Sequence, residues 1–507
     1  MSNMAANSGS FDVVIVGRGP VGSTLANLLG LCGIRTLVLE REAKTYHLPR
    51  AVHFDDECMR VFQTIGLADA VLPHLSLSPG MRFVDAEGRL LLDWPRPTDP
   101  TAMGWNLSYR FHQPDLEAVL NKGLERWPHV ELRTRCDVFA LEQDHNGARV
   151  HYEDLATGRL VDISCAYVVG CDGARSLVRR FIGSALDDLG FHERWLVCDV
   201  LLKEERPDLG DFSVQHCNKH RPATYIRGTG NRRRWEITVH PDEDAVDITQ
   251  PARVWELLSP WLRPAQAEIE RAAVYTFHSA VAQQWRAGRF LLAGDSAHQT
   301  PPFLGQGMCA GIRDAANLAW KLAHVIAGKA KPDLLDTYQS ERAPHVREFI
   351  ELAIRLGGLI NTKAVEAALA TGTALRDGQL KLDVQKPLLG PGLACGDRSM
   401  RGKLAPQFRS RDLGRSDDRV GYRFALLYRS GLGAAVIEQH HAGLTAADVT
   451  ILCGEEAGGL DSWLDQHGFD AVLMRPDRYI LGAVRQGEDP ATLLSSLAFL
   501  APLPSAT

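Results

Sequence analysis

The stretch FDVVIVGRGPVGSTLANLLGLCGIRTLVLE, residues Phe11 to Glu40, decides the fold. It begins with a nearly continuous apolar run and ends with a second one, and each predicts a buried parallel strand. Between them, Gly17, Gly19 and Gly22 have the G-x-G-x-x-G spacing of a turn that opens a helix. These glycines allow a tight bend, the approach of a pyrophosphate and close helix packing, and an acid after the second strand binds a ribose. The stretch therefore predicts a dinucleotide-binding βαβ unit with Glu40 as the ribose ligand.

Two more glycine-rich turns each follow a predicted strand. CDGARS, residues Cys171 to Ser176, follows AYVVG, and GDSAHQTPPFLGQGMCAG, residues Gly294 to Gly311, follows GRFLLA. Prolines stiffen the second turn and glycines let its backbone approach a ligand closely. An apolar-periodic helix begins within it. The pattern is typical of a loop that holds a flat or phosphorylated group against its backbone.

Bulk composition excludes several classes of protein. The chain has 507 residues, a net charge of −6 and no apolar run long enough to suggest a membrane span. The basic run Arg232 to Arg234 is short and is interpreted as a solvated loop, so we expect no nucleic-acid partner. The ten cysteines form no Cys-x-x-Cys pair, which indicates reduced thiols in a cytoplasmic protein.

The three turns, taken in order, resemble the FAD-dependent aromatic hydroxylases of the p-hydroxybenzoate hydroxylase fold. The resemblance runs from about residue 11 to residue 328, and the motifs GRGPVG, CDGARS and GDSAHQTPPFLGQGM carry it. Within that family the chain is most similar to the 3-(3-hydroxyphenyl)propionate hydroxylase subgroup, through RAVHFDDECMRVFQTIGL, GIRDAANLAWKLA and MRPDRYILGA.

The resemblance implies an α/β fold with three parts. A Rossmann-like FAD-binding domain would span residues 1–185 and 277–385, and an interleaved β-sheet substrate domain residues 186–276. A small thioredoxin-like domain would span residues 386–507. Because the last part has no Cys-x-x-Cys, we expect it to serve packing or homodimer formation rather than redox chemistry.

The resemblance also implies which residues bind the cofactor. Asp172 would serve both FAD and the nicotinamide nucleotide, and Asp295 would hold the ribityl chain. Cys309 stands where many relatives have Asn, which puts a side-chain contact to the flavin in doubt. The full predicted FAD-binding set is Gly17, Gly19, Gly22, Glu40, Arg41, Arg50, Gln113, Asp172, Asp295, Pro302, Gly305, Gly307 and Met308.

The implied reaction is hydroxylation of a phenolic aromatic acid ortho to its hydroxyl group. NADH or NADPH would reduce FAD, and O2 would then form a flavin hydroperoxide that the ring attacks. Hydroxylation of a different phenol, another flavin chemistry and a non-catalytic ligand-binding protein remain alternatives. The halogenase signature Trp-x-Trp-x-Ile-Pro and paired redox cysteines are both absent, which disfavours a halogenase and a disulfide reductase.

The catalytic residues are sought among groups that could accept the phenol proton, because deprotonation activates the ring. His53 is the first candidate, since it follows Arg50 in a loop expected to face the flavin. Asp55 is the second candidate, although an N-cap role for the next helix competes.

The predicted substrate sheet supplies further candidates. Tyr225 is a third catalytic candidate, and Trp235 and His240 could line the pocket with it. A substrate carboxylate would require an arginine partner, for which Arg221 and Arg227 are candidates.

Overall fold

The computed structural model describes residues 10–45, 48–360, 375–376, 379–380, 386–393, 395–397, 399–410, 414–431 and 448–488, with Leu493 and Leu497. Within these residues, no helix combines the length and apolarity that a membrane span requires. The helices are α1 (Pro20–Leu31), α2 (Asp56–Thr64), α3 (Ala68–Val71), α4 (Gln113–Leu124), α5 (Leu177–Ile182), α6 (Ala245–Ile248), α7 (Pro251–Leu258), α8 (Gly307–Ile326), α9 (Asp336–Ile360), α10 (Ser416–Val420) and α11 (Leu460–His467).

The strands form two large sheets and several smaller ones. They are β1 (Phe11–Val16), β2 (Thr36–Glu40), β3 (His53–Asp55), β4 (Leu75–Leu77), β5 (Gly80–Val84), β6 (Leu90–Pro95), β7 (Ser108–Phe111), β8 (Val130–Thr134), β9 (Cys136–Gln143), β10 (Ala148–Asp154), β11 (Arg159–Gly170), β12 (Leu186–Leu202), β13 (Ser213–His216), β14 (Ala223–Arg227), β15 (Arg232–Thr238), β16 (Ala267–Ala282), β17 (Arg286–Ala287), β18 (Phe290–Leu292), β19 (His298–Gln299), β20 (Leu375–Arg376), β21 (Gln379–Leu380), β22 (Cys395–Gly396), β23 (Arg409–Ser410), β24 (Gly414–Arg415), β25 (Phe424–Tyr428), β26 (Val449–Cys453), β27 (Ala457–Gly458), β28 (Phe469–Met474) and β29 (Ile480–Arg485).

The first large sheet confirms the predicted Rossmann-like core. Its strands β18, β11, β1, β2 and β8 are neighbours in that order, and each adjacent pair is parallel. Val13, Val14 and Ile15 of β1 are fully buried, as expected for a strand covered on both faces. The three glycine-rich turns follow β1, β11 and β18, which lie side by side. Because the carboxyl ends of parallel strands share one edge, the three turns meet there.

The second large sheet has ten strands and extends beyond the predicted substrate region. Its order is β19-β16-β12-β15-β14-β13-β5-β6-β21-β20, so the hairpin of residues 80–95 belongs to it as well. The sequence reasoning missed this hairpin because it lies far from residues 186–276 along the chain.

The interpretation of Arg232 to Arg234 as a solvated loop is wrong. These residues begin β15, where Arg233 and Arg234 are buried. The Arg234 Nε donates to Asp199 Oδ1 at 2.7 Å, and this buried partner satisfies the charge.

The C-terminal part contains a five-stranded sheet in the order β22-β29-β28-β25-β26. Strands β25 and β26 are parallel, whereas β28 runs antiparallel to both β25 and β29. The thioredoxin-like assignment of this part stays a prediction. The sheet is fixed to α9 because Glu341 Oε1 and Oε2 accept from Arg475 at 2.8 and 2.9 Å.

A buried arginine on α8 joins three parts of the chain. Arg313 Nε donates to Glu57 Oε2 at 2.6 Å, its Nη1 donates to Gln306 Oε1 at 2.9 Å, and its Nη2 donates to Asp55. The second oxygen of Glu57 accepts from the Tyr479 hydroxyl of the C-terminal part at 2.8 Å. Arg313 therefore ties α2, the third glycine-rich turn and the C-terminal part together.

Replacing Arg313 by methionine should destabilise the protein strongly, because Asp55 and Glu57 would lose their buried cation. We expect the free energy of unfolding, measured by urea denaturation, to fall by about 3–5 kcal/mol. Arg89→Met is the matched control, since the Arg89 side chain is 77% exposed beside Asp85 and its loss should leave the free energy of unfolding nearly unchanged. Equal losses in the two variants would contradict this role of Arg313.

Candidate active site

Of the three glycines in the first glycine-rich turn, only Gly19 has room for a side chain. A Cβ on Gly17, which has φ 101°, would lie 2.4 Å from the Cys171 carbonyl oxygen, and one on Gly22 would lie 2.1 Å from the Gly17 oxygen. A Cβ on Gly19 would meet nothing within 4 Å. Gly19 thus faces open space at the N-terminus of α1, where free N–H groups and the helix dipole favour a phosphate.

Carboxylates surround this turn. Glu40 Oε2 accepts from Arg18 N at 2.9 Å, and its Oε1 accepts from Glu42 N at 2.8 Å. Asp172 accepts from the Ser176 hydroxyl at 2.5 Å and from Leu177 N at 2.6 Å, so it stabilises the start of α5. By contrast, the Arg41 side chain is exposed and lies beside Glu42, away from these contacts.

The loop before His53 is held from two sides. Gln113 Oε1 accepts from Arg50 N and Ala51 N, each at 2.8 Å. The Arg234 guanidinium donates to Arg50 O at 2.7 Å, and Arg271 donates to Pro49 O at 2.7 Å. Gln113 therefore positions the backbone of this loop, a role that the resemblance did not specify.

The third glycine-rich turn contains a recess with an acid in it. The Asp295 side chain is exposed, yet surrounding protein desolvates it and raises its pKa, against the opposing charges of His298 and Arg50. An exposed carboxylate enclosed in this way lies in a cleft rather than on an open surface. Open space at Gly19 and an acid in a recess fit the pyrophosphate and ribityl parts of FAD.

The end of this turn leads into α8. Pro302, Gly305, Gly307 and Met308 are half-buried and precede or begin the helix. The Cys309 thiol is fully buried and lies 3.6 Å from the Gly305 carbonyl oxygen. The thiol thus points into the protein, which agrees with the doubt about a flavin contact there.

A cavity of about 130 Å³ lies between the third turn and the ten-stranded sheet. The turn supplies Pro302, Phe303, Leu304 and Gly305, and β3 and β7 supply His53 and Ser108. The remaining lining residues are Val52, Ser78, Gly80, Met81, Phe83, Trp94, Arg96, Arg110, Ser213, Gln215, Thr224, Ile226, Glu236 and Leu356.

His53 stands between the turn and a serine. Its Nε2 lies 2.7 Å from Ser108 Oγ, and a Cβ on Gly305, which has φ 63°, would lie 2.9 Å from its Nδ1. Burial and the nearby Arg96 charge lower the pKa of His53 to about 4, although Asp55 opposes the shift. His53 is therefore neutral near pH 7 and can accept a proton.

Asp55 serves the structure rather than the cavity. Its Oδ1 accepts from Cys58 N at 3.1 Å as the N-cap of α2, and its Oδ2 accepts from Arg313. Burial raises the pKa of Asp55, but the Arg313 charge outweighs it and holds that pKa below the ordinary value. The N-cap interpretation weighed for Asp55 therefore describes its geometry.

The expectation that Tyr225 and Trp235 face the substrate is wrong. Successive side chains of a strand point to opposite faces, and Thr224, Ile226 and Glu236 occupy the cavity face. Tyr225 and Trp235 pair across the other face, with ring centroids 5.0 Å apart, in the core beneath α7.

The remaining sequence candidates also lie outside the cavity. Arg221 forms two hydrogen bonds with Glu243, at 2.9 and 2.7 Å. Glu243 also accepts from His240 N, and Arg227 lies 3.1 Å from Asp211. Three cavity residues were not predicted from the sequence: Arg96, which follows β6, and Ser108 and Arg110 on β7. No local sequence pattern indicates that these two segments lie close together.

Family comparisons agree with this geometry. A family model described as "FAD binding domain" matches residues 10–353, and one described as "HcaD C-terminal domain" matches residues 427–498. The fold and site thus define a FAD-binding flavoprotein. More narrowly, the chain belongs to the family of flavin-dependent aromatic hydroxylases.

Individual relatives support this placement. A "Probable NADH-specific resorcinol 4-hydroxylase" of Rhodococcus jostii (strain RHA1) is 39% identical, over 97% of this chain and 96% of the relative. A "3-(3-hydroxy-phenyl)propionate/3-hydroxycinnamic acid hydroxylase" of Mycobacterium sp. (strain JLS) is 36% identical, over 93% and 89%.

Solved structures share the fold along almost the whole chain. "OxyS anhydrotetracycline hydroxylase from Streptomyces rimosus" is 27% identical, with a TM-score of 0.74 over 98% of this chain and 100% of that one. The flavin-dependent monooxygenase PieE, solved with FAD and substrate, is 23% identical and has a TM-score of 0.80, over 97% and 100%.

Alanine at two glycines of the first turn should separate folding from FAD binding. Gly22→Ala places a Cβ against backbone and should leave little folded, flavin-loaded protein. Gly19→Ala adds a Cβ in open space, so thermal unfolding of the apoprotein should not change. Its FAD dissociation constant, from fluorescence titration, should rise roughly tenfold or more, since the Cβ lies where the pyrophosphate approaches. Unchanged FAD binding by Gly19→Ala would contradict this placement of the cofactor.

Proposed function

We propose that the protein hydroxylates a phenolic aromatic acid ortho to its hydroxyl group, using NAD(P)H and O2. The expected substrate is 3-(3-hydroxyphenyl)propionate or a close analogue. One observation carries the proposal: His53, Ser108 and the third glycine-rich turn border a single cavity. A phenol held there would lie beside both the flavin and a neutral base.

FAD, held by the three turns, would accept the reducing equivalents of NAD(P)H and would then activate O2. The chain's own residues then handle the phenol proton. With its Nδ1 protonated, neutral His53 would accept a hydrogen bond from Ser108 Oγ at Nε2, and the serine oxygen would present its lone pairs to the substrate hydroxyl. As the phenol proton shifts toward Ser108 and the serine proton shifts toward His53, the ring becomes electron-rich.

The cavity walls exclude water from this exchange. Phe83, Trp94 and Leu356 are buried and close the cavity with apolar surface. In such an environment charges interact more strongly than in water. The hydrogen bond relayed through Ser108 to neutral His53 would therefore draw the phenol proton away from its oxygen at the position where the ring must react.

Nicotinamide specificity and location complete the proposal. The name of the Rhodococcus relative specifies NADH, and we extend NADH as the preferred reductant to this chain. The described cysteines are all free thiols, in keeping with the expected cytoplasmic location.

Product analysis with FAD-loaded protein tests the proposal. 3-(3-Hydroxyphenyl)propionate, resorcinol and phenol would each be offered with NADH and with NADPH in air. We expect NADH oxidation coupled to a product with one added oxygen and a new hydroxyl ortho to the first. Peroxide release alone would make that phenol an effector rather than a substrate. Absence of NAD(P)H oxidation with every phenol would overturn the proposal.

Variants of the base should lower turnover without lowering binding. His53→Asn should reduce kcat for the phenol by about 10²- to 10⁴-fold, and Ser108→Ala should reduce it less, since water can replace the hydroxyl. The neutral form of His53 is active, so wild-type kcat/KM should fall only as pH drops toward its lowered pKa of about 4. An acid limb at the ordinary histidine value of about 6.5, or full activity in His53→Asn, would exclude His53 as the base.

A further inference from the structure

The charged groups that line the cavity are Arg96, Arg110, Glu236 and the titratable His53. Arg110 has an internal partner in Asp211, which accepts from it through a side-chain oxygen at 2.9 Å and through the backbone carbonyl, and which also lies 3.1 Å from Arg227. Glu236 lies 3.7 Å from the Arg234 guanidinium. Among the described residues, neither a carboxylate nor a carbonyl accepts a hydrogen bond from the Arg96 guanidinium.

The Arg96 guanidinium is held in place by an aromatic ring rather than by a hydrogen-bonded carboxylate among the described residues. Its guanidinium lies over the Trp94 ring, 4.0 Å from the ring centroid, and stacking of this kind fixes the guanidinium plane. Its backbone N–H donates to Pro79 O at 2.7 Å, which anchors the residue at the end of β6. Burial lowers the pKa of Arg96 to about 10, against the charges of Asp55 and Asp56. A cation that is partly desolvated and has free N–H donors favours an anion beside it.

We propose that Arg96 binds the carboxylate of the substrate and selects phenolic acids over neutral phenols. This inference rests on the proposed function, because the ligand is the substrate of that same cavity. The planar guanidinium can donate two parallel hydrogen bonds to one carboxylate. Glu236, which also lines the cavity, presents an acceptor-bearing carboxyl group rather than a cation, so a substrate carboxylate is better placed against Arg96 than against Glu236.

The arrangement separates the two polar ends of the substrate. The carboxylate lies at Arg96, which directly follows the hairpin of residues 80–95. The phenol hydroxyl lies at Ser108 and His53. Both ends must bind for the ring to face the flavin. Arg96 is therefore a specificity-determining residue and not a proton carrier, which distinguishes its expected kinetics from those of His53.

Steady-state kinetics of FAD-loaded Arg96→Met test the inference. The substrates are 3-(3-hydroxyphenyl)propionate and its neutral amide, 3-(3-hydroxyphenyl)propanamide. For the wild type, we expect KM to be about ten- to a hundredfold lower for the acid than for the amide. In Arg96→Met that preference should disappear because KM for the acid rises, while KM for the amide and for NADH stays the same.

Two further variants keep the test decisive. Arg96→Lys retains the charge without the planar fork and should recover part of the acid preference. Arg89→Met, in the same hairpin but outside the cavity, should behave as the wild type. Flavin content and thermal unfolding of each variant show that it is folded and loaded.

Three outcomes would overturn the inference. Arg96→Met could retain the full preference for the acid, it could lower kcat equally for acid and amide, or it could raise KM for NADH instead. The last result would assign Arg96 to the nicotinamide nucleotide. Each of these leaves phenol hydroxylation intact, whereas absence of turnover with acid and amide alike in the wild type would count against the proposed function itself.

Discussion

The site depends on two adjacent buried charges on α8, Arg313 and Asp314. Asp314 Oδ2 accepts from Gly294 N at 3.0 Å and lies 2.6 Å from His298 Nε2, so it holds the beginning of the third glycine-rich turn. Arg313 donates to Gln306 at the end of the same turn and to Asp55, two residues after His53. One helix thereby fixes both the third glycine-rich turn and the strand β3 that carries His53. Buried charges of this kind tolerate little displacement, because an unpaired charge in the interior is costly.

The cavity is lined by charged arginines and a glutamate close to a neutral histidine. Burial and the charge of Arg96 keep His53 neutral, while Arg110 and Glu236 each have an internal partner. His53 is thus unprotonated and can accept a hydrogen bond. Among the described residues, no carboxylate accepts a hydrogen bond from the Arg96 guanidinium, which lies over the Trp94 ring. The C-terminal part contributes indirectly, because its Tyr479 hydroxyl donates to Glu57 of α2 and Glu57 also accepts from Arg313.

The sequence predicted those features that depend on local chemistry. Gly17 and Gly22 could be recognised because their spacing follows a strand and precedes a helix, and steric contact with backbone explains why no side chain fits there. His53 was proposed from its place after Arg50, and its role as a base stays a prediction. Tyr225 was expected in the cavity but lies in the core on the opposite face of the sheet, whereas its neighbours Thr224 and Ile226 line the cavity. A single sequence does not show which face of a strand lines the site, because successive side chains alternate between faces. Ser108, Arg96 and Arg110 meet His53 only through long-range pairing of β3 with β7 and of β5 with β13, which local patterns do not encode.

The most direct test of the account is the crystal structure of the FAD-loaded protein with 3-(3-hydroxyphenyl)propionate bound. The account predicts the ring between Gly305 and Ser108, with the phenol oxygen within hydrogen-bond distance of Ser108 Oγ. It also predicts the carboxylate against the Arg96 guanidinium. A ring bound outside this cavity, or inside it with the carboxylate turned toward Glu236, would contradict the central claim that one cavity joins the flavin turn, the base and the substrate.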